Sequence, residues 1–282
     1  MDLDGTLLRD DGSIAGDDRA AIAEARARGI AVTIATGRLP ASTLPHARAL
    51  DLAGSLVCMD GAVVVDAGRG AVTRTNPLSE SACERVARLG TKTGLSTFFL
   101  TADALLARPN EVSNQHLASL YGFTQNVEAY AGSVGNVAAT ALRNGRPILA
   151  GFLVGPSDDV QHAANLVRTE ERGRAAPEVE PEAFPVGDQD LWAVRVRSAS
   201  STKAAGLAAI CAETGITAAE VAAVGDWYND LSMLAWAGQS FVMGGAPAQV
   251  AQVARTKLAA RAGQGGGIAE VVALLLRGHS KP

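Results

Sequence analysis

The chain has 282 residues, a formal net charge of −4 and 48% hydrophobic residues, which is enough apolar material for one large domain or two of ordinary size. An aromatic share of 4%, with no run of Lys and Arg, argues against a nucleic-acid partner. The longest apolar runs, such as Val271 to Leu276, are far shorter than the ~20 residues of a membrane span. The acidic start lacks the basic and apolar regions of a secretory signal, so we expect a cytoplasmic protein without a membrane partner.

Helix and strand patterns alternate at both ends of the chain. In the first quarter they predict a helix at 17–28, a buried β-branched strand at 30–36, a helix at 41–50 and strands at 55–59 and 62–66. In the last third they predict helices at 202–213, 230–237, 246–254 and 268–276, with strands at 221–224 and 240–243. Such alternation is typical of a parallel sheet that is covered by helices on both faces.

The middle of the chain has a different character. From about Pro77 to Pro185 the patterns are mixed and are interrupted by prolines, glycines and a polar stretch at 168–185. We interpret this region as a second α/β domain inserted into the first. The predicted boundaries are 1–77 together with 190–282 for the core, and 78–189 for the inserted domain.

Two carboxylates lie at the very start, in Asp2-Leu3-Asp4-Gly5-Thr6. Carboxylates this close repel each other unless a proton or a cation lies between them, and hard divalent cations prefer such oxygen pairs. One interpretation is that one Asp attacks a phosphoryl group, the other handles the proton of the leaving group, and Mg²⁺ offsets the negative charge. The alternative is that Asp-Gly marks a turn.

Three further polar clusters follow predicted strands or begin predicted helices. They are Thr36-Gly37-Arg38, Lys203, and Asp226-Trp227-Tyr228-Asn229-Asp230. Taken singly, each has an ordinary explanation as a turn, a solvated lysine or a helix cap. A lysine at a helix start is nevertheless unfavourable unless an anion is also present. At the carboxyl edge of one sheet, the clusters together would supply the carboxylates, donors and ammonium that phosphoryl transfer needs.

In their order and spacing, the four clusters resemble the motifs of the haloacid dehalogenase-like superfamily of phosphatases. The more than one hundred residues between the second and third motifs resemble the Cof-type branch, which has an α/β cap at that place. The resemblance implies an α/β fold with a Rossmann-like parallel sheet core and an inserted α/β cap domain. It also implies a Mg²⁺-dependent phosphatase that acts on a small phosphorylated metabolite.

The resemblance further implies a role for individual residues. Asp2 would be the nucleophile that forms an aspartyl-phosphate, and Asp4 the general acid and base. The phosphoryl group would be bound by Thr36, Gly37, Lys203 and Asn229. The metal would be held by the Asp2 carboxylate, the Asp4 backbone carbonyl, Asp226 and Asp230.

This chain departs from the family pattern at two places. It has Asp60-Gly61 where the family often has Asn-Gly, and Met243-Gly244-Gly245-Ala246 where the family often has Met-Gly-Asn-Ala. Both departures remove an amide near the expected site, so we expect them to alter substrate preference. The inserted domain would set the substrate, with Asp188, Gln189 and Trp192 as candidates.

The start of the chain carries its own expectation. Asp2 should end a central parallel strand, which usually has ~5 apolar residues, yet only Met1 precedes it. The hypothesis that follows is that the true start lies upstream, or that the sequence represents a truncated gene.

Two other functions stay open at this point. A phosphotransferase or phosphomutase would use the same aspartyl-phosphate, and a non-catalytic phosphometabolite-binding protein would keep only the fold. A dinucleotide-binding dehydrogenase is disfavoured because no GxGxxG follows a predicted strand. The sequence identifies neither the substrate nor the oligomeric state.

Overall fold

The secondary structure comes from a computed structural model that describes residues 1–108, 127–129, 134–186 and 190–278. The helices are α1 (Gly16–Ala27), α2 (Pro40–Ala49), α3 (Glu80–Thr93), α4 (Val134–Arg143), α5 (Ser157–Arg172), α6 (Lys203–Thr214), α7 (Leu231–Trp236), α8 (Ala248–Val253) and α9 (Gly267–Gly278). The strands are β1 (Ser55–Cys58), β2 (Val63–Asp66), β3 (Val72–Thr75), β4 (Ser96–Leu100), β5 (Leu105–Ala107), β6 (Val127–Ala129), β7 (Ala150–Gly155), β8 (Val179–Pro185), β9 (Trp192–Ser198), β10 (Ala222–Gly225), β11 (Gln239–Gly244) and β12 (Thr256–Arg261).

The chain divides into two compact units, Met1–Thr73 with Thr202–Pro282, and Arg74–Ser201. The predicted insertion of 78–189 therefore ends too early. Residues 190–201 belong to the inserted unit because β9 pairs with β7 along one edge and with β8 along the other. Strand pairing between segments distant in the sequence decides this boundary, and local sequence patterns do not contain that information.

The first unit is built on parallel pairing. β10 pairs with β11, and β11 with β12, all in parallel. Beside β10, the Asp2 amide donates to the Val224 carbonyl at 3.0 Å, and the Met1 carbonyl accepts from the Ala35 amide at 2.9 Å. Ala35 in turn forms a parallel bridge with Val57 of β1. Backbone hydrogen bonds thus align the polar ends of several neighbouring segments.

The predicted buried strand at 30–36 is the main correction in this unit. Only Ala35 forms a bridge, and the segment is buried over Ile34–Thr36 but not over 30–33. The reason is limited pairing: Val57 exchanges backbone hydrogen bonds with Ile34 and Thr36, and on the other side Met1 forms hydrogen bonds with the backbone of Thr33 and Ala35.

A second difference from the all-parallel expectation is the β1–β2 pair, which is antiparallel. A three-residue 3₁₀ turn, Met59–Gly61, connects the two strands. Such a short connection permits only antiparallel pairing, since parallel strands need a crossover of a dozen or more residues.

Helix α6 carries Lys203 and packs directly on β1. The Thr202 hydroxyl caps the helix by accepting from the Ala205 amide at 3.1 Å. Gly206, one turn later, lies so close to the sheet that a Cβ there would be 2.5 Å from Cγ1 of Val57. The close approach of helix and strand fixes the position of the helix N-terminus.

The inserted unit contains a six-stranded sheet in the order β6-β5-β4-β7-β9-β8. Its pairings are antiparallel apart from β5 with β6. One face, including Phe99, Leu153 and Val194, packs against apolar residues of α3, α4 and α5. The fold class predicted from the sequence, an α/β core with an inserted α/β domain, is confirmed. Among the described residues, no helix is long and apolar enough to span a membrane.

The contact at Gly206 generates a stability prediction. Alanine normally stabilises a helix interior by about 1 kcal/mol relative to glycine. Here the clash with Val57 outweighs that gain, so we expect Gly206→Ala to lower the free energy of unfolding by about 1–3 kcal/mol in urea denaturation. The control is Gly16→Ala in α1, where a Cβ would meet nothing within 4 Å. Equal effects of the two substitutions would contradict this account.

Candidate active site

A buried lysine joins two aspartates at the centre of the first unit. Lys203 Nζ donates to Asp2 Oδ1 and to Asp230 Oδ1, each at 2.6 Å. The side chains of Lys203 and Asp230 are 0% exposed and that of Asp2 is 6% exposed. Unpaired charges at such depth are strongly unfavourable, so each of these groups depends on the others for its charged state.

Electrostatics explain a lysine at the start of α6. Burial alone would lower the Lys203 pKa, but the carboxylates of Asp2 and Asp230 outweigh it and raise the pKa above its ordinary value. The same carboxylates offset the unfavourable helix dipole. The side chain is therefore an ammonium at every physiological pH.

The loop after β10 is organised by Asp230. Asp230 Oδ2 accepts from the amides of Asp226 at 2.8 Å and Trp227 at 3.0 Å, while Oδ1 contacts Lys203. Gly225 makes this possible, because a Cβ there would lie 2.4 Å from the Asp230 carboxyl carbon. One carboxylate thus fixes the loop and the lysine together.

Asp226 lies against the turn that follows Asp4. Thr6 Oγ1 donates to Asp226 Oδ1 at 2.8 Å. Gly5 has φ 77°, and a Cβ there would be 2.3 Å from Asp226 Oδ2. Only glycine permits both this left-handed conformation and this close approach. The backbone beside Asp4 and the Asp226 carboxylate consequently lie next to each other.

Three carboxylates form a group that fits a divalent cation. Asp2, Asp226 and Asp230 each offer an oxygen, and these oxygens all lie within 4.8 Å of one another. Burial raises the pKa of Asp2 to about 7, against the opposing effect of Lys203. Burial also raises the pKa of Asp226 to about 6. An all-oxygen donor set of this kind suits Mg²⁺ or a similar hard cation.

The Asp4 carboxylate has a different partner. It forms a two-point ion pair with Arg38, whose Nε lies 2.8 Å from Oδ2 and whose Nη2 lies 2.5 Å from Oδ1. The Asp4 side chain is 57% exposed, and Arg38 also contacts His46 at 3.3 Å. Within the described ranges, the three-carboxylate group does not include this side chain.

The Thr36–Gly37 turn is tied to the turn at Asp60. Thr36 is fully buried, its hydroxyl accepts from the Arg38 amide at 3.2 Å, and its carbonyl accepts from the Asp60 amide at 2.9 Å. Asn229 Nδ2 donates to Asp60 Oδ1 at 3.0 Å. Two of the predicted phosphate-binding residues, Thr36 and Asn229, therefore contact Asp60, which the sequence analysis noted near the site only as a departure from the family pattern.

Of the substrate candidates in the inserted unit, Asp188 and Gln189 lie outside the described residues. Trp192 lies on β9 and packs against the apolar core of that unit. The contacts that sequence reasoning missed are those of Thr6, Arg38 and Asp60. All three occur inside or beside the motifs, but their partners lie far away in the sequence.

The raised carboxyl pKa values generate a pH prediction for metal-free protein. In the unfolded chain the carboxyl groups of Asp2 and Asp226 have ordinary pKa values near 4. Their stabilising contribution is therefore fully present below about pH 4 and is lost as the pH rises through 6 to 7. With EDTA present, we expect Asp226→Asn to raise the melting temperature at pH 8 and to raise it about half as much at pH 5, which lies midway between the unfolded and folded pKa values of Asp226.

Adding Mg²⁺ should reverse the order at pH 8, because the wild type then gains stability by binding the ion and the variant does not. Asp51→Asn, at an exposed turn, is the control and should shift neither melting temperature. If Asp226→Asn instead lowered the melting temperature equally at both pH values, the ionised Asp226 carboxylate would not be destabilising the metal-free protein.

Comparison with known proteins agrees with this geometry. A family model for haloacid dehalogenase-like hydrolases matches residues 1–272. The chain is 26% identical over 246 residues to the 5-amino-6-(5-phospho-D-ribitylamino)uracil phosphatase YcsE of Bacillus subtilis (strain 168), covering 87% of this chain and 83% of that protein.

Solved structures share the fold. A haloacid dehalogenase-like hydrolase from Bacteroides thetaiotaomicron superposes with a TM-score of 0.75 at 20% identity, over 97% of both chains. The subclass IIB sugar phosphatase BT4131 superposes with a TM-score of 0.71 at 20% identity, over 97% of this chain and 96% of that one. Since the family model spans nearly the whole sequence, the chain belongs to the haloacid dehalogenase-like hydrolase family.

Proposed function

We propose that the protein is a Mg²⁺-dependent phosphatase that hydrolyses a small phosphomonoester through an aspartyl-phosphate on Asp2. The observation that supports this most is the buried Lys203 ammonium, which contacts Asp2 and Asp230 at 2.6 Å each. It opposes the effect of burial on the Asp2 carboxyl, favours its ionised form and orients it in a site from which water is largely excluded.

In the first step an Asp2 carboxylate oxygen attacks phosphorus. The bond between phosphorus and the leaving oxygen breaks, and Asp4 donates a proton to the departing alkoxide. Arg38, which pairs with the Asp4 carboxylate at 2.8 and 2.5 Å, would orient the Asp4 side chain when no substrate is bound. The products are an alcohol and a phosphorylated Asp2.

In the second step water attacks the same phosphorus atom. Asp4, now a carboxylate, accepts the proton of the water, the bond between phosphorus and the Asp2 oxygen breaks, and inorganic phosphate leaves. Asp2 returns to its starting carboxylate. At the end of the cycle one ester bond has been hydrolysed, and Asp4 is again protonated.

Binding of the phosphoryl group is assigned to Thr36, Gly37, Lys203 and Asn229. The metal would be held by Asp2, Asp226 and Asp230 together with the Asp4 backbone carbonyl, and when bound it would neutralise charge on the phosphoryl oxygens. The clustering of the three carboxylate oxygens within 4.8 Å supports this assignment.

The substrate class is a small phosphorylated metabolite, such as a sugar phosphate or a phosphorylated cofactor. One relative is named for a phosphorylated ribitylaminouracil, and one structural neighbour is described as a sugar phosphatase. A net charge of −4 with no basic run disfavours nucleic-acid substrates. We place this activity in the cytoplasm.

Substitution of the nucleophile tests the mechanism. Asp2→Asn removes the attacking oxygen, so we expect turnover of a generic aryl phosphate to fall by about 10³-fold or more. EDTA should abolish wild-type turnover, and added Mg²⁺ should restore it. Asp51→Asn makes the same chemical change at an exposed position and should retain wild-type activity.

Turnover that survives EDTA, or persists in Asp2→Asn, would contradict the mechanism. Analysis of the products separates hydrolysis from transfer. A phosphatase releases one inorganic phosphate for each ester consumed, whereas a phosphotransferase or mutase conserves the ester. A wild type that binds phosphate without turnover would be a binding protein.

A further inference from the structure

A buried carboxylate that the mechanism does not use lies inside the candidate site. Asp60 is 2% exposed and follows β1 in a turn with φ 53° and ψ 33°. The left-handed backbone region is uncommon for residues other than glycine, and Asn and Asp tolerate it best. The turn therefore directs a charged side chain inward at a position that few residue types can occupy.

The contacts of Asp60 are with elements that surround the proposed phosphoryl position. Its Oδ1 accepts from Asn229 Nδ2 at 3.0 Å. A Cβ built on Gly37 would lie 3.2 and 3.3 Å from the two Asp60 carboxylate oxygens, so the carboxylate lies against the Gly37 backbone. The Asp60 charge also contributes to the raised pKa of Lys203. Asp60 is thus adjacent to Gly37 and Asn229, and its negative charge acts on the Lys203 ammonium.

We propose that Asp60 weakens the binding of the phosphoryl dianion itself. The inference rests on the proposed phosphatase function. A fixed carboxylate beside the phosphoryl position repels inorganic phosphate and every substrate by the same amount. Tight binding then depends on contacts to the organic part of the substrate, and the phosphate product is released readily.

The effect of the Asp60 charge is clearest when aspartate is compared with asparagine at this position. An asparagine in the same turn has the same size, tolerates the same backbone and can still accept a hydrogen bond from Asn229 through its own Oδ1. It differs in losing the negative charge and gaining an amide donor. The aspartate therefore replaces attraction of a phosphoryl oxygen with repulsion, in a low-dielectric site where such effects are strong.

The test is the inhibition constant of inorganic phosphate against an aryl phosphate substrate, measured with Asp60→Asn. We expect phosphate to inhibit the variant at about tenfold lower concentration than the wild type, since a like charge has been removed. The control is Asp51→Asn, which makes the same change at φ 50° in an exposed turn beyond the far end of α2 and should leave the constant unchanged.

A purely structural role would lower the melting temperature or kcat without tightening phosphate binding. An inhibition constant within twofold of wild type, or weaker, would overturn the inference and leave the phosphatase proposal intact. A wild type that neither turns over phosphomonoesters nor binds phosphate would overturn the proposed function instead. If Asp60→Asn does not fold, Asp60→Gly removes the same charge, suits the left-handed backbone, and carries the same expectation.

Discussion

The structure of the first unit depends on the ion pairs of Lys203. This ammonium contacts Asp2 and Asp230, which are 201 and 27 residues away in the sequence. Without it, carboxylates at this depth would repel one another and take up protons. With it, the start of the chain, the N-terminus of α6 and the loop after β10 meet at one point. The interaction that stabilises this junction also favours the ionised form of Asp2, which is the form that can attack phosphorus.

Close approach of backbone and carboxylates is the second requirement. At Gly5 and Gly225 a Cβ would lie within 2.4 Å of side-chain atoms of Asp226 and Asp230 respectively. Any side chain at either position would push the carboxylates apart. The glycines in the motifs thus have a steric role, which is to let three acidic groups gather tightly enough to share a cation. Asp60 adds a fourth buried carboxylate, which accepts a hydrogen bond from Asn229.

Much of this could be predicted from the sequence, because periodicity and capping are local. Helices α1, α2 and α6 each begin and end one residue away from the predicted positions. The predictions were wrong where pairing partners decide the outcome: the strand at 30–36 is reduced to one bridge, and β9 joins the inserted sheet. Asp60 was noticed as a departure, yet its contact with Asn229 spans 169 residues and arises only from the tertiary fold.

The proposed mechanism requires Asp2 to carry the phosphoryl group during turnover. The most direct measurement is mass spectrometry of peptides after acid quenching of the wild-type enzyme with Mg²⁺ and substrate. We expect one added phosphoryl group on the N-terminal peptide, localised to Asp2 and absent from Asp2→Asn. Phosphorylation of a different residue, or steady turnover with no phosphorylated peptide under conditions where hydrolysis of the intermediate is rate-limiting, would contradict it.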